Sequence, residues 1–450
     1  MNLIITEKEM QSVLNNSLKK QSNKSIVRAK RSGKALEGKG KIMRRRNFLH
    51  VMGLGSLATL SPLKQREVSA QEPEKDERWG SMDPWIEVNL DHIAWNLNQL
   101  KKLVKVPIMA VVKANAYGHG LVGVSQYLEK NGVDWLMVGK LEEALTLRKA
   151  GLRCPILNYG PFSREDGEEI VNGNISQSVY SEEATYLNEM ASKLNKKVGV
   201  HIDIDTGMGR TGVPFTQGLA LAEKLSSLSH LEIQGISTTL TEDKEFDQEQ
   251  LKRFLILCFS AEKKGISLGL KHAASSAGVL YEPTYYLDMV RPGISLYGYY
   301  PSPQTQKEDK LALKPALRLL AKVTSVRDLA PGESLSYHRV FVAPKKMRVA
   351  TIGIGYSDGY PSQLVGKGAV SISNKKCPVI ATVTANHLMV DLENNPEIKV
   401  ADEVILIDNQ KQTGLGADVL SEWSGISDYK ILIGLNPLLP RKYIKLQESA

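Results

Sequence analysis

The stretch Val111-Val112-Lys113-Ala114-Asn115-Ala116-Tyr117-Gly118-His119-Gly120 holds the residue best suited to covalent chemistry. Ile108, Met109, Ala110, Val111 and Val112 form an unbroken apolar run of the kind that makes a buried strand. Lys113 closes that run, ahead of a small-residue turn and a helical pattern over Leu121–Lys130. In α/β enzymes the C-terminal ends of the strands carry the chemistry. An amine desolvated there can lose its proton and attack a carbonyl carbon, which is how Schiff-base lysines work. A lone strand-end lysine ordinarily snorkels to solvent instead. The neighbours of Lys113 therefore decide how it is read.

Such a lysine needs a scaffold. Trp85–Asn89 reads as a short strand, and Asp91 begins an amphipathic helix to about Lys102, with Ile93, Leu97 and Leu100 on one face. Strand patterns follow at 108–112, 135–138, 155–159, 176–180, 198–204, 232–237, 270–274 and 289–296. Helical patterns lie between them, at 141–150, 182–194, 217–225 and 248–264. Repeated βα units of this kind predict a (β/α)8 TIM-type barrel over residues 83–312. From about Leu313 the texture changes to strands at 319–327, 347–354, 369–372, 379–383, 388–392 and 403–407, separated by turns such as Pro331-Gly332. Residues 313–450 are therefore expected to form a mostly β C-terminal domain, giving an α/β fold overall.

Lys-Ala-Asn-Ala-Tyr-Gly-His-Gly, residues 113–120, resembles the pyridoxal-phosphate-binding signature of alanine racemases at all eight positions. The resemblance runs from about residue 83 to 445. It implies pyridoxal 5'-phosphate as cofactor, an amino acid (alanine and others) as small-molecule substrate, and a head-to-tail homodimer with shared active sites. It further implies proton transfer on and off Cα by one base on each face. Lys113 matches the cofactor-linked lysine, which also serves as one base. Tyr356, in Gly355-Tyr356-Ser357-Asp358-Gly359-Tyr360-Pro361, matches the opposite base, which the partner subunit contributes in the family. A free tyrosine has a pKa of about 10, so a catalytic one needs a polarising environment.

Arg291, in Met289-Val290-Arg291-Pro292-Gly293-Ile294, matches the arginine that faces the pyridine nitrogen. Gly293 and Ile294 match the positions whose amides hold the phosphate, with Tyr117 and Ser276 as further phosphate ligands. Arg210, in Asp205-Thr206-Gly207-Met208-Gly209-Arg210, matches the arginine near the substrate carboxylate. Ala385 and Asn386 fall on the substrate side.

The chain also departs from the family pattern. Thr239 stands where a histidine usually bonds the catalytic tyrosine, and threonine carries no charge. Asp203 stands where many members have a carbamylated lysine, and its carboxylate is expected to orient Arg210. Ser275 replaces a common asparagine beside the phosphate. Thr384-Ala385-Asn386-His387 replaces a usual Cys-Met-Asp-Gln, and Pro437 takes the place of a pocket-narrowing tyrosine. Small residues there are expected to widen the pocket, as in exported broad-specificity racemases. Two other readings are a decarboxylase or aldolase on the same barrel, and an exported binding protein descended from a racemase. The Arg291 context argues against the first, and retention of both bases argues against the second.

The net charge of +9 is misleading until it is located. Residues 1–80 hold 17 basic and 8 acidic side chains, and the rest of the chain is formally balanced. That removes the charge argument for a nucleic-acid partner. Within the basic leader, Arg44-Arg45-Arg46-Asn47-Phe48-Leu49, a modest apolar run and Val68-Ser69-Ala70 resemble a bacterial twin-arginine export signal, which implies a periplasmic location. The apolar run is too short and too interrupted by glycine for a membrane span. Cys154, Cys258 and Cys377 show no metal-ligand spacing, and no metal is expected.

Overall fold

The first strand, β1 (Trp85–Asn89), passes directly into the helix Leu90–Val104. Asn89 makes the transition, because its side-chain oxygen accepts from the His92 N–H at 3.0 Å. Leu90, Ile93, Asn96, Leu97, Leu100 and Val104 are buried, the stripe a 3.6-residue period produces. The buried amide of Asn96 donates to Leu296 O and Lys314 O and accepts from Lys314 N, so the polar group in this stripe is satisfied. The computed structural model of the chain describes residues 82–445, apart from 309 and 394. The export leader expected at 44–70, and the tail before it, lie outside the described residues.

A parallel barrel follows. Its strands are β2 (Met109–Val111), β3 (Trp135–Val138), β4 (Ile156–Asn158), β5 (Ser176–Val179), β6 (Val198–Asp205), β8 (Leu231–Thr238) and β9 (Leu270–His272), paired in that order. A two-residue strand, β7 (Val213–Pro214), pairs with the end of β6. The eighth stave is irregular. Asp288 and Arg291 donate to Lys271 O and Ala274 O beside β9, while Met109 and Val111 of β2 donate to Val290 O and Pro292 O. Residues 288–292 thus close the ring. The strand expected over 289–296 is cut short here, since Ile294–Tyr297 is a 3-10 turn. Pro292 offers no N–H to a ladder, and Gly293 sits at φ −114, ψ −91.

The second half carries a short hairpin, β11 (Ser334–Leu335) with β12 (Phe341–Val342), and is otherwise built on a ring of six strands. β10 (Leu317–Leu329) pairs with both β13 (Met347–Ile352) and β17 (Glu403–Ile407). Between those two run β16 (Leu388–Asp391), β15 (Lys375–Val383) and β14 (Ala369–Ile372). Register shifts along β10 let one strand serve both sides of the closure. β1 and the last strand, β18 (Arg441–Ile444), extend this sheet beyond β10. The first strand therefore belongs to the C-terminal sheet and not to the barrel domain in which the sequence pattern placed it. Two helices after β17, Ala417–Ser424 and Asp428–Ile433, were not legible in the sequence. All three cysteines are free thiols. No helix among the described residues is long and apolar enough to cross a membrane.

Candidate active site

Lys113 stands at the C-terminal end of β2, and the backbone that follows it is strained. Ala114, Asn115, Ala116 and Tyr117 have φ of 54°, 56°, 51° and 52°, a left-handed turn made without glycine. Each such residue costs about 1–2 kcal/mol, so the turn persists only because its surroundings hold it. Glu143 is part of that hold: one carboxylate oxygen accepts from Asn115 N at 3.1 Å, the other from Gly139 N at 3.0 Å. Asn115 then accepts from Leu121 N at 2.7 Å and fixes the next helix. Gly118, at φ +82°, leaves no room for a side chain, since a Cβ there would lie 2.1 Å from Leu432 O. The helix Asp428–Ile433 of the C-terminal half thus clamps the lysine turn.

The Lys113 side chain is accessible to solvent, yet protein atoms crowd around it. That burial, and then the Arg210 and Arg291 charges, push its ammonium pKa down; Glu143 opposes them. An amine with a lowered pKa is a nucleophile and a base.

Arg291 is buried, and its contacts fix it rigidly. Nη1 donates to His272 O at 2.7 Å and to His272 Nδ1 at 2.6 Å; Nη2 donates to Thr238 O at 2.9 Å. A guanidinium only donates, so His272 Nδ1 must be the acceptor and its Nε2–H must donate to His201 Nδ1, 2.8 Å away. Burial and the Arg291 charge hold both imidazoles neutral, with His201 pushed down to about 3.

The residues expected at a phosphate converge beside Lys113. Ser276 Oγ accepts from Gly293 N at 2.9 Å and from Ser295 N at 3.3 Å. The Tyr117 ring stacks on Tyr297 at 5.0 Å, and a Cβ on Gly293 would come 2.5 Å from the Tyr117 hydroxyl. Glycine is what permits this approach of backbone, hydroxyl and serine. The small cradle so formed, next to an amine and a fixed guanidinium, fits a phosphate-bearing aldehyde cofactor.

Arg210 lies on the loop after β6, where Asp205 Oδ1 accepts from Gly207 N and Gly209 N. Its guanidinium is exposed. The expectation that Asp203 orients Arg210 is corrected by the hydrogen bonds. Asp203 accepts from Tyr159 OH at 3.0 Å, Ser237 Oγ at 3.0 Å and Thr211 Oγ1 at 3.3 Å, and these hydroxyls occupy its carboxylate. Tyr159 was not singled out in the sequence; its strand-end position was the available signal.

Tyr356, Ala385 and Asn386 form a second group, on the C-terminal half. Tyr356 N donates to Thr384 O at 2.9 Å, and Ser357 Oγ donates to Ala385 O at 2.7 Å. Asn386 Nδ2 donates to Ser357 Oγ at 3.1 Å, and Asn436 Nδ2 to Ser357 O at 3.0 Å. The Tyr356 turn is thereby locked between two loops while its side chain stays 59% exposed. Among the described residues no hydrogen bond or ring contact joins this group to Lys113, and none holds a cluster of metal ligands.

The chain is similar to known proteins in sequence and in fold. Residues 88–301 match the family "Alanine racemase, N-terminal domain", and residues 316–443 match "Alanine racemase, C-terminal domain". Alanine racemase 1 of Clostridium acetobutylicum is 38% identical over 370 residues, covering 80% of this chain and 95% of that protein. An alanine racemase of Clostridium perfringens is 40% identical over 371 residues, covering 81% and 96%. The solved structure of alanine racemase from Clostridium difficile 630 superposes with a TM-score of 0.78 at 33% identity, covering 82% of this chain and 97% of that one. That of the Bacillus anthracis enzyme with bound L-Ala-P gives 0.76 at 30% identity, covering 81% and 95%.

Proposed function

The chain belongs to the alanine racemase family, and we propose that it interconverts L- and D-alanine with Lys113 and Tyr356 of the partner subunit as opposed bases. Pyridoxal phosphate, when bound, draws electrons from the amino acid's Cα and acidifies its C–H bond. The chain does the rest. Tyr117, Ser276, Gly293 and Ile294 would hold the cofactor's phosphate end, and the buried Arg291 would supply a positive charge to its ring. Arg210, exposed at the mouth, takes the substrate carboxylate. Lys113 holds or releases a proton on one face of Cα because its ammonium form is disfavoured.

The observation that carries this reading is the convergence at one barrel mouth of a destabilised ammonium, a buried guanidinium and a glycine-lined cradle. The test is chiral analysis of products from the purified protein supplied with pyridoxal phosphate and L-alanine. D-alanine accumulating toward equal amounts is expected; unchanged L-alanine overturns the reading.

The exposed Tyr356 supports a head-to-tail homodimer in which each subunit completes the other's site. Mixing inactive Lys113→Ala and Tyr356→Phe proteins tests this. Heterodimers recover activity when the two residues come from different chains and stay inactive when they come from one.

The small Ala385 and the Pro437 loop support a wider substrate range. Serine, methionine, lysine and arginine added to the panel should racemise as well; turnover of alanine alone would sink that part. Arg44-Arg45-Arg46 and the apolar run after it support export to the periplasm. A reporter that is active only after twin-arginine transport, fused behind residues 1–80, should become active. Reporter confined to the cytoplasm would count against export.

A further inference from the structure

Behind the barrel mouth a buried carboxylate is wired to the rim by hydroxyl groups. Asp203 is 2% exposed and lies on β6. Three hydroxyls reach its two oxygens: Ser237 on Oδ1, and Tyr159 and Thr211 on Oδ2. Tyr159 OH also lies 3.2 Å from Thr239 Oγ1. Thr239 follows β8 directly and is only partly buried, so the chain of contacts runs from the interior to the C-terminal rim. Its neighbour Thr238 supplies the carbonyl that anchors Arg291 Nη2, and Gln250 Nε2 pins the Thr239 carbonyl at 3.0 Å.

Counting protons sets the direction of this chain. Burial pushes the Asp203 pKa up, and the three donors and the Arg291 charge pull against that rise; the three hydroxyls aimed at its two oxygens are the surroundings of a carboxylate. A carboxylate only accepts, so the single phenolic proton of Tyr159 points to Asp203. The Tyr159 oxygen can then only accept at Thr239, and the single hydroxyl proton of Thr239 points inward to it. What Thr239 shows to the mouth is a pair of lone pairs and no proton.

We propose that Asp203 and Tyr159 are positioning residues that hold the Thr239 hydroxyl as an acceptor-only group at the barrel mouth. There it takes a hydrogen bond from an O–H or N–H donor of the reacting groups. It offers none in return, so a group facing Thr239 is held in its protonated form. This is a directional device made of neutral hydroxyls, and the one charge that sets it is buried out of reach of solvent.

The inference rests on the racemase reading, and the experiment separates the two. Racemisation of L-alanine is measured for the holoenzyme and for Tyr159→Phe, Thr239→Val and the double variant, with Thr239→Ser as the conservative control. Loss of the inward bond or of the acceptor should each lower kcat about tenfold while KM moves less than about threefold. Both changes break one relay, so the double variant should be no worse than the poorer single variant by more than about threefold. Thr239→Ser should recover activity, because the hydroxyl matters and the methyl does not. Single effects that multiply to about a hundredfold overturn the relay, since independent structural defects add in free energy. If Tyr159→Phe does not fold, Thr239→Val and Thr239→Ser decide: a valine variant with full kcat overturns the proposal. A wild-type holoenzyme without racemase activity overturns the function itself, a different result from active protein with multiplicative variants.

Discussion

Lys113 and Tyr356 are held in opposite ways. Lys113 follows a buried strand and opens a strained left-handed turn, with Glu143, Asn115 and the Leu432 backbone closing around it. Tyr356 sits on a turn whose backbone is fixed by Thr384, Ala385 and Asn436, yet its ring is 59% exposed. On the proposed function, one subunit builds the cofactor cradle and only half of a proton-transfer pair. The difference teaches that the barrel mouth is finished by folding alone, whereas in the proposed head-to-tail dimer the second base is delivered by assembly. Changes at the first region should therefore disturb cofactor and fold together, and changes at the second should disturb turnover only.

The largest effect should come from Lys113→Ala, which removes the amine. Activity is expected to fall by at least about 10^4-fold, with loss of the cofactor's visible absorbance after gel filtration. Retained absorbance would show that the cradle holds the cofactor without a bond to Lys113. Tyr356→Phe should cost about 10^2–10^4-fold in kcat, the range for a lost general acid–base group, while melting temperature and cofactor absorbance stay as in the parent. A fall in melting temperature would place Tyr356 in the fold rather than at an assembled site.

An acid-sensitive stability should follow from the buried imidazoles of the first region. Burial pushes His119 from 6.5 to about 4. The unfolded chain therefore binds a proton below pH 6.5 that the folded chain refuses until about pH 4. This contribution is intact above pH 6.5 and is lost as pH falls through that window, by about 2 kcal/mol at pH 5. Urea titrations of the parent and His119→Gln at pH 7.5 and pH 5 check it: the variant should show the smaller difference. Smallest of the four, Gly293→Ala should weaken pyridoxal phosphate binding about tenfold by pushing a methyl group against the Tyr117 hydroxyl. Equilibrium dialysis against the free cofactor gives the number, and unchanged affinity would mean that Tyr117 yields without cost.

Much of this was written locally. The apolar run ending in Lys113, the alternation of βα units and the eight-residue signature each depend on neighbours a few residues apart, so a linear reading finds them. So does Asn89 ahead of the first helix, a cap whose partner is three residues on. The small residues 384–386 and the turn at 355–361 were legible for the same reason.

Other features depend on residues far apart in sequence and close in space, and tertiary structure alone decided them. Strand β1 joins β10 and β18, more than 200 residues away, because hydrogen-bond pairing carries no trace in a five-residue pattern. The eighth stave pairs along residues 288–292 and then turns at Gly293, where a run of apolar residues suggested a longer strand. Asp203 was expected to serve Arg210, seven residues on. The fold gives it instead to Tyr159, 44 residues earlier, and to Ser237, 34 residues later. A carboxylate goes to the donors that surround it once it is buried, and burial is a property of the whole fold. Residue type thus set which chemistry was possible at each position, and the packing of distant strands set which partner each group found.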